Sequence, residues 1–240
     1  FEQFNFDHVA LCAGAGQPNL IPMKNALARG VRQASDFLMA LQLTGAAKKS
    51  SIANLEVRLP AVVIGGGLTA IDTATEALAY YPVQVEKFLQ RYEDLGSDLS
   101  KLSLDQEQTV VAEEWLEHAR VLRKERQKES PDILKHLKSW GGVTVLYRKT
   151  LQESPGYRLN HEEVFKALQE GIEFAGEVAP EAVEVDVFGH ACALKVLKDG
   201  YSQIILAKSI FVAAGTKPNV TLSKEYPDHF ELDGLYYKGT

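Results

Sequence analysis

Residues 61–74 (AVVIGGGLTAIDTA) place three glycines between an apolar run and a segment with high helix propensity. Gly65 allows a tight turn at the end of a strand, and Ala70 allows the following helix to lie close to the sheet. Gly67 lets the backbone approach a ligand, because a Cβ at this position would collide with it. The spacing Gly65-x-Gly67-x-x-Ala70 therefore fits the fingerprint of a dinucleotide-binding turn.

The beginning of the helix after this turn is the expected contact for a pyrophosphate. The first N–H groups of a helix have no partners within it, and the helix dipole adds partial positive charge there. The backbone ligands predicted for the pyrophosphate are Gly65, Gly66, Gly67, Leu68 and Thr69. The Thr69 hydroxyl is a further donor, and Ala70 completes the motif. The alternative is a glycine turn that binds nothing and simply joins a buried strand to a helix.

Asp72 lies one turn into the predicted helix. Its carboxylate either supports the turn or approaches the nicotinamide ribose, or it only complements the helix dipole. These roles stay open from the sequence, and Asp72 is counted as a candidate cofactor-binding residue.

Apolar runs and amphipathic stretches alternate along most of the chain, which favours an α/β fold with a parallel sheet and helices on both faces. Strands are predicted at 6–13, 59–64, 143–147, 172–174 and 208–214, and a β-meander over 182–198 and 201–206 with its turn at Asp199-Gly200. Helices are predicted at 30–43, at 68–80 with Pro82 ending the helix, and at 160–171 with Asn160 as its cap. Charged residues with apolar residues at helical spacing predict a helical insertion over 83–142.

The second strand of the dinucleotide-binding unit is predicted at 143–147, beyond this insertion. The acidic residue that favours NAD is expected at the end of the second strand, about 20 residues after the glycines, and no residue fits this role at that distance because residues 82–142 interrupt the unit. Arg148 and Lys149 follow the strand instead, and two cations suit the 2′-phosphate of NADPH. Arg158 is a weaker candidate for the phosphate or the adenine. The alternative is two exposed basic residues with no ligand.

Composition narrows the classes of partner. The chain has 240 residues and a formal net charge of −6, which disfavours nucleic acid. No apolar stretch approaches the ~18 residues of a membrane span, and no secretory signal is visible, so we expect a cytoplasmic protein that contacts no membrane. Cys12 and Cys192 lie far apart in apolar runs, and each is expected to be a buried thiol. The histidines have no metal-ligand spacing, and no nucleophile motif occurs, so neither a metal site nor a catalytic side chain is predicted.

Basic residues are concentrated between 120 and 128, within the predicted insertion. They either bind a protein partner or form the solvated face of a helix. A protein partner at the insertion 83–142 is therefore kept as a possibility beside the small-molecule dinucleotides.

Five pieces of the chain resemble the glutamate synthase small-subunit group of the pyridine nucleotide-disulfide oxidoreductase superfamily. They are VVIGGGLTAIDTATEAL, VTVLYRK, SPGYRLNHEEVFKALQEGIEF, FDHVALCAGAGQPNLIPM and SIFVAAGTKPN. The last two resemble the segments in which chains of this family leave and re-enter the FAD-binding domain, which implies that Gly14 and Gly215 lie next to the flavin. The resemblance covers most of residues 6–80 and 143–220.

The resemblance implies a Rossmann-like two-dinucleotide-binding (FAD/NAD(P)-binding) fold with a parallel sheet, a β-meander and a helical insertion. It implies a crossing segment over 1–45, an NAD(P)-binding domain over 46–214 and a return segment over 215–240. The activity implied is that of an NADPH-dependent flavoprotein oxidoreductase, in which hydride passes from nicotinamide C4 to flavin N5 and electrons continue to an unknown acceptor. FAD would be bound mostly by parts outside this chain, because an FAD fingerprint is absent from these residues. We therefore expect a piece of a longer protein.

Three alternatives remain open. Adrenodoxin-type reductases share the general plan and also have a longer connection in this domain. A non-catalytic nucleotide-binding or interaction module would use the insertion to bind a partner. An ordinary NAD(P)-dependent dehydrogenase is disfavoured, because no Ser-Tyr-Lys or histidine arrangement for its chemistry is visible.

Overall fold

The computed structural model describes residues 2–4 and 6–239 of the chain. Its α-helices are α1 (Ala34–Leu43), α2 (Leu68–Asp94), α3 (Gln106–Glu125), α4 (Ile133–Ser139), α5 (Pro155–Gln169) and α6 (Thr221–Glu225). Its strands are β1 (Gln17–Pro18), β2 (Val31–Gln33), β3 (Ala61–Ile64), β4 (Val143–Leu146), β5 (Glu173–Ala175), β6 (Val178–Val185), β7 (Ala191–Lys198), β8 (Tyr201–Leu206), β9 (Ser209–Val212), β10 (Thr216–Lys217), β11 (Leu232–Asp233) and β12 (Tyr236–Tyr237).

Five parallel strands form one sheet in the order β2-β9-β3-β4-β5. Ala61 of β3 pairs with Val143 of β4 on one side and with Ser209 of β9 on the other. Strands β3 and β9 are buried along their whole length, as expected where both faces of a parallel sheet are covered. The carboxyl ends of β3, β4 and β9 therefore lie at one edge. This is the Rossmann-like α/β fold that the sequence predicts.

The two faces of this sheet are covered by different elements. Ala61 and Val63 belong to an apolar cluster built with the helices, whereas Val62 and Ile64 belong to a second cluster built with meander residues such as Leu194. The prediction of helices on both faces is therefore wrong. The meander covers the second face because alternate residues of its strands are apolar and lie on the same side.

The meander consists of β6, β7 and β8, paired in antiparallel order as predicted. Asp199 and Gly200 connect β7 to β8 with φ values of 52° and 80°. Left-handed φ at both central residues is typical of the two-residue hairpin turn that follows the twist of the strands.

Strand β2 lies within the segment 30–43, which the sequence predicts as one helix. Gly30 has a φ of 86°, and its carbonyl accepts a hydrogen bond of 2.8 Å from the N–H of Ile210. Residues Val31–Gln33 then pair with β9, and helix α1 begins only at Ala34. Pairing with a strand distant in sequence thus overrides the local helical pattern.

Helix α2 continues through Pro82 to Asp94, although Pro82 is predicted to end it. Proline removes one backbone donor and crowds the preceding turn. The side chain of Gln84 hydrogen-bonds both the N–H and the carbonyl of Val57 at 2.8 Å, and Tyr81 is fully buried. The contacts of Tyr81 and Gln84 therefore outweigh the local free-energy cost of Pro82 within the helix.

Residues 6–13, predicted as a buried strand, belong to no strand and are exposed. Phe6 is 64% exposed and Val9 47% exposed. Strands are stabilised by pairing, and no strand in the described part of the chain pairs with this segment. Cys12 is consequently exposed rather than buried, and Cys192 is half-buried.

The helical insertion consists of the second half of α2 with α3 and α4. The face of α3 that packs against α2 is apolar and buried, and its residues are Val111, Trp115, Leu116, Ala119 and Leu122. Val110, beside this face, is 46% exposed. None of the helices in the described part of the chain combines the length and apolarity needed to cross a lipid bilayer.

Ion pairs join α3 to α2 and use part of the basic segment 120–128. The guanidinium of Arg123 lies 2.8 Å from Glu86 and 2.7 Å from Glu93, and Arg126 lies 3.2 Å from Glu86. Much of the positive charge in this segment is therefore balanced within the chain.

Glu125 is 5% exposed and joins the end of α3 to α4. Its carboxylate accepts hydrogen bonds from Lys128, from His136 at 2.9 Å and from the N–H of Asp132 at 3.1 Å. These hydrogen bonds, that from Lys128 foremost, lower its pKa from 4.5 to about 2. A carboxyl group with a lowered folded-state pKa stabilises the fold above its ordinary pKa, and the contribution is lost as pH falls.

We therefore expect Glu125→Gln to lower the melting temperature at pH 7, with the difference from the wild type shrinking as pH falls from 4.5 towards 2. Thermal unfolding followed by circular dichroism across this pH range measures the effect. Glu129→Gln changes an exposed carboxylate nearby and should unfold like the wild type throughout. A melting-temperature difference for Glu125→Gln that stays constant with pH would contradict this role.

The described chain divides into two compact units, Leu20–Ala214 and the segments up to Asn19 and from Gly215 onward. Residues 20–45, which the sequence assigns to a crossing segment with residues 1–19, supply β2 and α1 to the larger unit. The assignment of the units to NAD(P)-binding and FAD-binding domains stays a prediction.

Candidate dinucleotide site

The glycine turn joins β3 to α2 at the carboxyl edge of the sheet. The N–H of Gly65 donates to the carbonyl of Leu146 at 2.9 Å, which extends the pairing of β3 with β4 by one residue. Gly67 then caps helix α2 with φ −89° and ψ 174°. The sequence prediction of a strand, a glycine turn and a helix at this point is confirmed.

The three glycines are required for different reasons. A Cβ on Gly65 would overlap the carbonyl oxygen of Ala213, and a Cβ on Gly66 would lie 2.5 Å from the ring of Tyr147. A Cβ on Gly67 would meet nothing within 4 Å, and its extended backbone suits any residue. Packing therefore explains Gly65 and Gly66, whereas nothing in the described chain requires glycine at position 67.

The first N–H groups of α2 are available to a ligand. The N–H of Ala70 donates to the carbonyl of Gly67 at 3.0 Å. Over residues 2–4 and 6–239, no acceptor is recorded for the N–H groups of Gly67, Leu68 and Thr69. Thr69 is exposed, and its carbonyl accepts from the Thr73 hydroxyl at 2.6 Å. An exposed helix N-terminus with free donors is a physically suitable site for a phosphate.

The beginning of α5 touches the same turn. The N–H of Gly156 donates to the carbonyl of Gly66 at 2.7 Å, and a Cβ on Gly156 would lie 3.1 Å from that oxygen. Ser154 caps this helix by accepting from the N–H of Tyr157 at 3.2 Å. The sequence patterns do not predict this contact. Ser154 followed by Pro155, an N-cap residue before proline at the first helical position, is the signal that indicates a helix beginning here.

Asn160 caps only the second part of α5. Its backbone is non-helical, with φ −154° and ψ 78°, so the helix is kinked there. Its side chain accepts from the N–H of Glu163 at 3.4 Å and donates to the carboxylate of Glu163 at 2.9 Å. The predicted cap is therefore present, although an additional turn precedes it. Arg158 lies in that turn and is exposed.

Arg148 and Lys149 lie just beyond the carboxyl end of β4, beside β3, and both are exposed. The pairing predicted between the glycine strand and the strand before these cations is confirmed. The ammonium of Lys149 lies 3.4 Å from the carboxylate of Glu153. Within the described residues, no ion pair is recorded for Arg148.

Asp72 lies in a groove of about 410 Å³ between α2 and α5, which also contains Glu163 and Lys166. Partial burial, with a smaller contribution from the charge of Glu163, raises the pKa of Asp72. The structure thus places this carboxylate beside the second part of α5. Its part in cofactor binding stays a prediction.

Gly14 and Gly215 both belong to the smaller unit. Gly14 accepts a hydrogen bond from the N–H of Asn219, and Gly215 accepts one from the N–H of Asn19, each at 2.9 Å. Strands β1 and β10 pair between these bonds. The two predicted crossing segments are therefore held together, with left-handed φ at both glycines, 70° and 85°.

No protein-family model matches the chain. The chain is 44% identical over 186 residues to "Uncharacterized protein RP006" of Rickettsia prowazekii (strain Madrid E), a match that covers 78% of this chain. The chain spans about 25% of the length of that relative.

Solved structures with similar folds include an FAD-dependent pyridine nucleotide-disulphide oxidoreductase from Desulfovibrio vulgaris, with 16% identity and a TM-score of 0.49 over 92% of this chain and 38% of the other. They also include a ferredoxin reductase from Rhodopseudomonas palustris, with 12% identity and a TM-score of 0.47 over 92% of this chain and 37% of the other. These similarities concern the fold. The fold class itself rests on the sheet order and register described above.

Proposed function

We propose that this chain is the NADPH-binding part of an FAD-dependent oxidoreductase of the pyridine nucleotide-disulfide superfamily, related to the glutamate synthase small-subunit group. The observation that carries the proposal is the glycine turn. Gly67 has open space where its Cβ would lie, and free N–H groups follow it at the start of α2. A glycine that neither packing nor φ requires is explained by a ligand that approaches the backbone closely.

The residues present fit a dinucleotide pyrophosphate. The N–H groups of Gly67, Leu68 and Thr69 donate to its oxygens, and the Thr69 hydroxyl adds one donor. Gly65, Gly66 and Ala70 hold the turn against the sheet. The dipole of α2, a helix of 27 residues, places partial positive charge at the same point.

Arg148 and Lys149 bind the 2′-phosphate of the adenosine ribose in this proposal. Both follow the strand next to β3 and are exposed, and Arg158 at the start of α5 lies in the segment that touches the turn. Lys149 exchanges its contact with Glu153 for the phosphate, which costs little because the 3.4 Å ion pair is exposed. Charge-assisted hydrogen bonds of this kind favour NADPH over NADH.

The double variant Arg148→Ala/Lys149→Ala is expected to weaken NADPH binding by roughly 30- to 700-fold and to leave NADH binding nearly unchanged. The loss corresponds to about 2–4 kcal/mol for two charge-assisted contacts. Isothermal titration of the chain with each nucleotide measures both affinities.

Arg120→Ala/Lys124→Ala is the matched control, since it removes two exposed cations in α3 and the same net charge. It should leave both affinities as in the wild type. Equal losses in the two double variants would mean that only net charge matters. A wild-type chain that binds neither nucleotide would reject the proposal as a whole.

When bound, NADPH would supply a hydride for a flavin, and the electrons would continue to an acceptor that the chain does not identify. The contribution of this chain is to bind and orient the nucleotide. Gly14 and Gly215 contribute backbone beside the FAD, most of whose ligands belong to parts outside this chain. Cytoplasmic location remains part of the proposal.

A protein partner at the helical insertion stays a secondary proposal. The cations left for such a contact are Arg120 and Lys124, because Arg123 and Arg126 pair with α2. The internal ion pairs make a purely structural role for most of this basic segment the stronger interpretation.

A further inference from the structure

A histidine in the helical insertion contacts residues of both neighbouring helices. His118 lies in α3, and its Nδ1 is 2.5 Å from the hydroxyl oxygen of Tyr81 in α2. A face of its imidazole is stacked on the indole of Trp140, with ring centroids 3.7 Å apart and an interplanar angle of 13°. Trp140 is the C-terminal cap residue of α4. This half-buried side chain therefore joins α3 to α2 and to the end of α4.

The hydrogen bond to Tyr81 determines the protonation state of His118. Tyr81 is fully buried, and burial raises the pKa of its hydroxyl far above the ordinary value, so the hydroxyl keeps its proton. Within residues 2–4 and 6–239, no other hydrogen bond is recorded for this hydroxyl. Its proton therefore has an acceptor only when Nδ1 carries a lone pair. This requires a neutral imidazole with its own proton on Nε2.

The charges around His118 do not favour a positive imidazole. Glu114, one turn earlier in α3, is already bound by Arg58 at 3.0 Å and by Lys208 at 2.6 Å. Burial is the largest influence on the pKa of His118 and lowers it. The carboxylates of Glu114 and Glu117 raise this pKa, and the ammonium of Lys208 lowers it. Glu117 is exposed, so solvent screens its charge. The contact as it stands therefore favours the neutral form.

Two further groups act on the contact through the α4 end. The indole face of Trp140 attracts a cation, which makes protonation of His118 less unfavourable. His136 has its ring centroid 6.0 Å from that of Trp140, and its Nε2 lies 2.9 Å from the carboxylate of Glu125. In the part of the chain that the structure describes, neither Trp140 nor His136 is recorded as an acceptor for the hydroxyl proton of Tyr81.

We propose that His118 is a pH-sensitive latch: its neutral imidazole holds Tyr81 and Trp140, and its protonation releases the end of α4. A protonated Nδ1 donates instead of accepting, which leaves the hydroxyl proton of Tyr81 without an acceptor in the interior. When the contact opens, water solvates the imidazolium, so acid shifts the population from the closed to the open state. Helix α3 stays on α2, because its apolar face is unchanged. The latch is separate from the glycine turn, and it holds whether or not the chain binds NADPH.

Nuclear magnetic resonance of the whole chain between about pH 8 and pH 5 tests the latch. At the upper end, the ring protons of His118 should show nuclear Overhauser contacts with Trp140 and an upfield ring-current shift. Both should disappear together as pH falls through a midpoint below 6.5, the ordinary pKa of histidine. The indole signal of Trp140 should move with the same midpoint, whereas that of Trp115, packed against Phe88, should stay in place. A protonated His118 that keeps its contacts with Trp140 would overturn the proposal, and so would the absence of a titration in this range.

His118→Asn separates the latch from the titration of other groups. Asparagine keeps an acceptor near the position of Nδ1 and cannot be protonated in this range. The indole signal of Trp140 should therefore no longer titrate, and the unmoved signal of Trp115 shows that the variant is folded. A titration that persists in this variant would belong to His136 and would reject the role of His118. The wild-type experiment stands without any variant.

Tyr81→Phe removes the hydroxyl that favours the neutral imidazole. The midpoint of His118 should rise by roughly 0.5–1 pH unit. Tyr80→Phe is the matched control, since it removes another buried hydroxyl, which accepts from the N–H of Leu55 at 3.2 Å. This control should titrate like the wild type. A midpoint that is the same in Tyr81→Phe and Tyr80→Phe would show that the hydroxyl of Tyr81 does not control the protonation of His118.

Discussion

Replacing Gly67 with alanine is expected to weaken NADPH binding by about 100-fold or more while changing the free energy of unfolding by no more than about 1 kcal/mol. The added Cβ meets nothing within 4 Å, and φ is −89°, so the folded chain accepts it. Alanine is a weaker helix cap than glycine, which lowers the free energy of unfolding. It also reduces the conformational entropy of the unfolded chain, which raises the free energy of unfolding. The pyrophosphate, in contrast, loses its close approach to the N–H groups of Leu68 and Thr69.

Two measurements on the same variant test this expectation. Denaturant unfolding gives its stability, and isothermal titration gives its affinity for NADPH. Retained affinity in a stable Gly67→Ala chain would place the pyrophosphate elsewhere. A strongly destabilised variant would show that position 67 is needed for packing, which would remove the main support for a ligand there.

Replacing Gly65 with alanine is expected to destabilise the larger unit by about 3 kcal/mol, because the new Cβ would overlap the backbone carbonyl of Ala213. Backbone at this point cannot move freely, since the N–H of Ala213 donates to the carbonyl of Ile64 at 2.8 Å. For a chain of this length the loss corresponds to a melting temperature lower by roughly 6–12 °C. Thermal unfolding followed by circular dichroism measures it.

Gly16→Ala is the matched control for this substitution. Its added Cβ meets nothing within 4 Å, and its φ lies outside the left-handed region. The melting temperature of this control should equal that of the wild type. If Gly65→Ala melted at the same temperature as Gly16→Ala, the close contact between the turn and the end of β9 would be wrong.

Opposite outcomes are expected at Gly65 and Gly67, although the sequence motif treats the two glycines alike. The motif identifies both positions as glycines of a dinucleotide fingerprint. It does not separate packing from ligand approach, because the atom that a Cβ would meet at Gly65 belongs to Ala213, far along the chain. The sequence therefore predicts the turn, but it does not show why position 65 requires glycine, because Ala213 is distant in sequence.

Local chemistry also explains which elements were predictable. The hairpin at Asp199-Gly200 and the cap at Asn160 depend on residues close in sequence, and both are present. Strand β4 could be placed beyond a long insertion because its β-branched pattern is strong. Pro82 does not end α2, because the packing of this helix around Tyr81 is decided by side chains from elsewhere in the chain.

By itself the sequence determined the turn at residues 65–67, the strand that precedes Arg148, and the α/β class of the fold, because these follow from backbone preferences and short-range pattern. The tertiary structure alone decided that the meander covers one face of the sheet, that Gly156 contacts Gly66, and that His118 contacts both Tyr81 and Trp140. Each of these three features depends on contacts between segments that are far apart in the chain. The free energy of such contacts is not part of any residue's local propensity for helix or strand.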